Sequence, residues 1–486
     1  MDARSPRQDS LRGLGDVPSR RRVPASYRVV ALSLRVRAAY AAPGLAFALI
    51  GIPIYVHLPK FYADTFGVDL AWLGLMILAS RVWDAVTDPA LGFLSDRTRT
   101  RLGRRRPYLL IAPLPLAAAT TLLLAPPDLS PAAGGWWFGS LLAVTFLAWT
   151  ATQIPHAALG PELTFDHHER TALFAWRDGL WILGTLFAAA APTLVRLVFD
   201  LPIGAAGDRA TFRVMALAYA PLLVLLPWWC ALIIREPSHT APTGVDRPVR
   251  STIEAWENRP FRLVLLAYAI GALGGALPAT LILFYVEHVL EAASLADGFL
   301  GLYFLSGFVC LPLWTAIARR TGKKRAWISA MVVSVVAFFG AAFLGPGDTV
   351  AFGVICVVSG IGFGAGLVLP ASIVADVVDY DEWRSGRRRE GLYYGLWSIA
   401  TKVSAAVGAG IALPLLKWAG YVPQAVQDDT VLLTLRLLYA AVPCACYALA
   451  LAVIARFPID ATRHRAVREA LVARSRGIPT ADPLAS

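Results

Sequence analysis

Arg81, Asp84 and Asp88 lie three and four residues apart in the stretch from Arg81 to Pro107, RVWDAVTDPALGFLSDRTRTRLGRRRP. On an α-helix this spacing stacks the three side chains on one face. The surrounding sequence is apolar, and a charge near the centre of a bilayer costs at least ~2.5–3.5 kcal/mol. The face must therefore turn to a protein interior or a watery cavity. Pro89 has no N–H to return to the carbonyl of Ala85, which leaves a bare backbone oxygen within a turn of both acids. Two carboxylates, that carbonyl and the hydroxyl of Thr87 make oxygen ligands for a hard cation such as Na⁺, or a proton acceptor. The competing reading is a structural ion pair of Arg81 with Asp84, but one arginine cannot neutralise two acids.

The elements that position these groups follow from composition. The chain has 486 residues, 57% hydrophobic and 16% charged, with a mean hydropathy of +0.57. Soluble globular chains carry about 25% charged residues, so this is a polytopic membrane protein. The net charge of +12 does not point to nucleic acid, because the arginines fall in short loops between apolar segments rather than on one soluble face. Cys230, Cys310, Cys356, Cys444 and Cys446 all lie in apolar runs without a metal-type pair, so neither disulfides nor zinc are implied. No nucleophile–base pair or metal-ligand spacing stands in the loops, which argues against an enzyme and against a bound cofactor.

Twelve apolar segments, each of roughly 20 residues or more, are long enough to cross ~30 Å of hydrocarbon. Their expected limits are 38–59, 70–95, 107–125, 136–160, 172–198, 212–234, 262–287, 297–318, 325–344, 350–378, 392–417 and 431–456. The loops after even-numbered segments hold twenty basic residues, in the stretches 96–106, 161–171, 235–261, 319–325 and 380–391, while Arg209 stands on the other side. The positive-inside rule then puts both termini in the cytoplasm of a bacterial inner or plasma membrane. Residues 1–37, rich in Arg, Ser and Pro, are expected to be a disordered cytoplasmic tail, and 457–486 a second tail. The polar connection 235–261 reads as a linker between a six-helix half at 38–234 and another at 262–456. An internal repeat supports the division, since GFLSDRTRTRLGRRRPYLL after the second segment has a counterpart in IARRTGKKRAWIS after the eighth. The fold class is an all-α membrane protein of two six-helix halves, the major facilitator arrangement.

Three motifs in chain order carry a closer resemblance: RVWDAVTDP with RTRLGRRRPYLL, ADVVDYDEWRSGRRREG at 375–391, and ATKVSAAVGAG at 400–410. On these the chain resembles the glycoside–pentoside–hexuronide:cation symporters of the major facilitator superfamily, a melibiose permease-like family, over residues 38–456. The resemblance implies that Asp84 and Asp88 are cation-site carboxylates, with Thr87 and Thr150 beside them, and that Na⁺ or H⁺ is the coupling ion. It also implies that Lys402 lies near that site. Depth agrees: at 1.5 Å per residue Asp88 is about 12 Å, Asp84 about 18 Å and Lys402 about 15 Å from the cytoplasmic ends of their helices. A lysine at such depth must find a carboxylate, a cation-sized vacancy or water. Pairing with Asp84 or Asp88 in the absence of the cation would couple occupancy to how the halves pack.

For the solute the expected site is Arg177 and Lys402, which match residues of the family, with Gln153, which lies at a depth to face a central cavity. Trp397, one turn before Lys402, would offer an aromatic face to a sugar ring. Ala48 and Gln153 stand where sugar-binding carboxylates are found in the family. His156, beside Pro155, reads as a structural residue. Asp96 with Arg97, Arg101, Arg104 and Arg105 is expected to latch the cytoplasmic side. Asp96 would accept from arginines and a helix N-terminus, and Asp379 would belong to a matching set on the other half together with Asp376, Asp381, Arg384 and Arg387 to Arg389. The expected function is cation-coupled symport of a glycoside-like solute by alternating access, by a protein working as a monomer. The alternative cargo is a lysophospholipid or other amphiphile, carried by a vertebrate transporter of the same branch and favoured by the missing carboxylates.

Overall fold

The computed structural model describes residues 32–163, 167–202, 204–236, 248–386, 389–475, 478 and 481–484. Side chains at 85, 96, 161, 162, 167, 168, 170, 171, 248–252, 390, 391 and 475 lie outside that description. Nearly all of the expected N-terminal tail is also outside it. Among the described residues eleven helices are long and apolar enough to cross a membrane, and twelve if one pair bent by 41° counts as a span.

The first six spans are α1 (Leu34–Phe66), α2 (Leu70–Arg97), α3 (Arg106–Leu124), α4 (Pro131–Leu163), α5 (His167–Phe199) and α6 (Ala205–Ile233). The second six are α7 (Arg259–His288), α8 (Ala293–Val309 with Leu311–Thr321), α9 (Lys323–Ala341), α10 (Thr349–Ser385), α11 (Glu390–Trp418) and α12 (Asp429–Ala455). The eighth segment is not the single helix expected over 297–318: it breaks at Cys310, two residues before Pro312, whose ring and missing N–H cannot continue the ladder. The first helix continues past the expected limit at 59, so Lys60 and Asp64 belong to its last turns, and Gly67 closes it with φ +66°. The linker contains a helix, Pro248–Glu257, and the C-terminal tail forms another, Ala461–Ser475, packed on α10.

Within the first half α1 packs on α5 and α6, and α4 on α2 and α3; within the second, α7 packs on α11 and α12, and α10 on α8 and α9. The halves meet along α2 with α11, α5 with α8, and the middle of α1 with α7. Glycines permit the closest of these crossings. A Cβ on Gly74 would stand 2.9 Å from Pro414 Cδ, and one on Gly410 2.9 Å from Leu78 Cβ. The two helices therefore run antiparallel in close register, Gly74 against Pro414 and Leu78 against Gly410, and the same register continues to Asp88 against Lys402.

We call the face where α1 begins and α12 ends the terminal face, and the other the far face. Buried apolar side chains form three clusters. One spans both halves toward the far face, with Phe61, Leu73, Phe138, Phe284, Phe352 and Tyr439 among its members. Toward the terminal face the second half has its own cluster around Phe261, Trp327 and Tyr393. The first half has another around Tyr40, Leu109 and Leu173. Joined cores at one face and separate cores at the other mean that the halves are closed together at the far face and parted at the terminal face.

Candidate cation and solute site

Helical spacing puts Arg81, Asp84 and Asp88 on the face of α2 that meets α11 and α4. Arg81 Nη1 donates to Asp84 Oδ2 at 2.6 Å, and these side chains are only 7% and 3% exposed. The guanidinium is flanked by the rings of Phe146, 4.1 Å from its centroid, and Tyr55, at 4.9 Å. This supplies favourable contact to a cation held out of water. Asp88 is a turn nearer the terminal face and sits in a wetter setting. Thr150 Oγ1 donates to its Oδ1 at 2.9 Å, and the Lys402 ammonium ion-pairs with its Oδ2. Lys402 Nζ also lies 3.9 Å from Asp84 Oδ2, and Lys402 and Asp88 are 26% and 24% exposed. Two acids thus face two basic side chains, Arg81 held by Asp84 and Lys402 held by Asp88. Thr87 does not join them through its proton: its hydroxyl donates to the Trp83 carbonyl of its own helix at 3.0 Å.

A cavity of about 550 Å³ opens between the halves, lined by Gln153, Arg177 and Asp178 with Phe47, Trp181 and, from the second half, Phe308, Phe363 and Leu367. Arg177 is bonded to Asp178, Nε at 2.9 Å and Nη2 at 2.8 Å, so the wall offers a paired guanidinium and carboxylate rather than a lone positive charge. His156 is buried and Nε2 lies 2.7 Å from the carbonyl of Tyr40. A carbonyl can only accept, so Nε2 carries the proton and the imidazole ties α4 to α1. Trp397 and Lys402 are not among the residues lining this cavity; the Trp397 ring lies against Tyr268, 3.9 Å between centroids. Ala48 is buried.

The loop from α2 to α3 is organised by an acid that sequence reasoning missed. Glu236, just past α6, accepts from the backbone N–H groups of Arg104, Arg105 and Arg106 at 2.7, 2.7 and 2.8 Å. It thereby occupies the N-terminus of α3, where the helix dipole favours an anion. Asp96, expected to accept from arginines and a helix N-terminus, has its side chain outside the described residues. Gly103, at φ +107°, leaves room for the carboxylate, because a Cβ there would stand 2.6 Å from Glu236 Cδ. Arg105 donates to Ser95 Oγ at 2.7 Å, Arg97 lies over the Phe93 ring at 3.7 Å, and Arg101 is exposed.

On the second half His464 of the tail helix bonds to Asp379 at 3.1 Å, and Lys323 to Asp376 at 2.6 Å. Arg389 is shared by Asp381 and Glu254, both at 2.6 Å, and hydrogen bonding to Asp381 raises its already high pKa. Arg384 lies 3.6 Å from Glu257; Arg387 and Arg388 are outside the described residues. The sequence predicts these acids and arginines as a second set on this half. The pairs named here join its residues to one another or to the linker and tail helices.

On the far face, ion pairs cross between the halves. His57 of α1 and Arg196 of α5 both bond Asp297 of α8, at 3.1 and 3.0 Å. Lys60 of α1 lies 2.5 Å from Glu287 of α7. Each of these residues stands near a helix end, where a charge in the sequence reads as an ordinary boundary, so no signal marked them.

Two six-helix halves around a central cavity, closed at one face, with ion-paired acids buried between them, define a secondary transporter. A family model described as MFS/sugar transport protein matches residues 39–461, and the chain belongs to that family, the major facilitator type expected from the motifs. It is a multi-pass membrane transporter rather than an enzyme. The chain is 27% identical over 429 residues to an isoprimeverose transporter of Lactiplantibacillus pentosus, covering 86% of each chain. It is also 27% identical over 444 residues to a putative glycoside/cation symporter of Escherichia coli, covering 88% of this chain and 94% of that one. Among solved structures, that of a D-xylose-proton symporter superposes with a TM-score of 0.65 at 11% identity, covering 86% of this chain and 96% of that one.

Proposed function

We propose that the protein is a cation-coupled symporter of a sugar or glycoside, with Asp88 as the coupling carboxylate. The observation that carries this reading is the Lys402 ammonium ion-paired with Asp88 and lying 3.9 Å from Asp84. An internal cation occupies the place that an imported one needs. Because Lys402 belongs to the second half and Asp88 to the first, arrival of Na⁺ or H⁺ at Asp88 releases a tie between halves. Asp84, spent on Arg81, is the support of the site rather than its working group. Thr150 completes the oxygen set, and Gln153, Arg177 and Asp178 face the solute. The relatives named for sugars and glycosides support that cargo and leave the amphiphile reading without support. The terminal face is read as cytoplasmic on the charge of its loops, which makes the conformation described here inward-facing.

Uptake of radiolabelled glycosides into membrane vesicles under an imposed Na⁺ or H⁺ gradient tests the reading. Accumulation above the external concentration with one of the two gradients is expected, and its loss in Asp88→Asn. Linkage adds a second readout: cation and solute raise each other's affinity by one factor, and the mutant loses that enhancement. Equal accumulation and equal cation-dependent affinity in Asp88→Asn would remove Asp88 from the coupling site.

A further inference from the structure

At the far face two basic residues of the first half each have two acidic partners, one on their own half and one on the other. Arg196 of α5 donates through Nη2 to Asp208 of α6 at 2.7 Å and through Nη1 to Asp297 of α8 at 3.0 Å. Lys60 of α1 is bonded to Asp64, one turn on in the same helix, and lies 2.5 Å from Glu287 of α7. Asp297, 7% exposed, takes His57 Nε2 on its other oxygen at 3.1 Å, while Thr193 Oγ1 donates at 3.5 Å to the oxygen that Arg196 holds. The charged groups of these pairs line a cavity of about 250 Å³.

Charges in such a setting are expensive to strand: a buried basic group that loses its only acid faces a desolvation cost that its lost partner no longer offsets. The duplication avoids this. When the halves separate, Arg196 keeps Asp208 and Lys60 keeps Asp64, while Asp297 and Glu287 move into water, where a carboxylate is well solvated. We propose that Arg196 and Lys60 are two-position latches of the far face, in which the acid on the opposite half sets the strength of closure and the acid on the same half makes release affordable. The proposal rests on the alternating-access reading above. It assigns opposite effects to acids that touch the same cation.

Hydrogen–deuterium exchange of the full-length protein in detergent, without solute or coupling-ion gradient, tests this at the far-face ends of α7 and α8, Leu283–His288 and Ala293–Leu300. Asp297→Asn weakens closure and speeds exchange there by at least about fivefold, the upper end for an exposed ion pair and a floor for one this buried. Asp208→Asn leaves Arg196 dependent on Asp297 and slows exchange below that of the wild type. Glu287→Gln and Asp64→Asn repeat the contrast around Lys60. A merely structural role predicts faster exchange in all four variants, and that result, or no change in any, overturns the proposal. Exchange in the terminal-face cluster around Phe261 serves as the folding control. Since no transport is measured, failure here is separable from failure of the symport reading, which the vesicle assay decides.

Discussion

Asp84 and Asp88 are one turn apart on the same helix, yet their surroundings give them different work. Asp84 is nearly dry and tied to Arg81 between two aromatic rings; Asp88 is a quarter exposed and held by Lys402 and Thr150. Removing the acid of a buried pair strands the other charge, at a cost of about 3–5 kcal/mol. Asp84→Asn is therefore expected to lower the melting temperature in detergent sharply, and the double variant Arg81→Met with Asp84→Asn to recover most of it. Asp88→Asn is expected to melt near the wild type and fail in accumulation. If the single Asp84→Asn variant melts normally and Asp88→Asn does not, the assignments are reversed. Helical spacing made the shared face of these residues legible, and depth brought Lys402 to the same level. The division of labour was not legible, because it depends on Tyr55 and Phe146, which approach from other helices. Thr87 shows the same limit: spacing places a hydroxyl beside the acids but cannot say that its proton goes to the Trp83 carbonyl.

At the scale of elements, hydropathy located the spans and the loop charges their ends, while the contacts between spans stayed hidden. The arginine loop is built around Glu236, separated from Arg104 by 132 residues, and no local pattern announces such a partner. The register of α2 against α11 is likewise set by glycines whose role is visible only once the helices are side by side. It yields a test on a single helix. Gly410→Ala places a methyl group 2.9 Å from Leu78 Cβ, whereas nothing stands within 4 Å of a Cβ at Gly395. Overpacking costs typically about 1–3 kcal/mol, while relieving a helical glycine gains up to about 1 kcal/mol. Melting temperatures in detergent should thus move in opposite directions, down for Gly410→Ala and up for Gly395→Ala. Equal shifts would mean that the crossing is not as close as described.

For the whole molecule the internal repeat foretold two halves but not which face would be closed, since closure depends on far-face pairs such as Lys60 with Glu287 and His57 with Asp297. The sidedness itself is open to a direct check. A reporter active only in the cytoplasm should work when fused after Arg389 and fail when fused near Asp428; the reverse pattern would turn the conformation described here into an outward-facing one. The break in α8 bears on the cavity at the same scale. Pro312 has no N–H to return to Phe308, and Phe308 stands on the cavity wall. The bend at Cys310 sets the shape of the wall there, since Phe308 lines the cavity from one side of the break and Leu311 from the other. A substitution at Pro312, which does not itself line the cavity, would thus reshape the wall without altering a single residue that lines it.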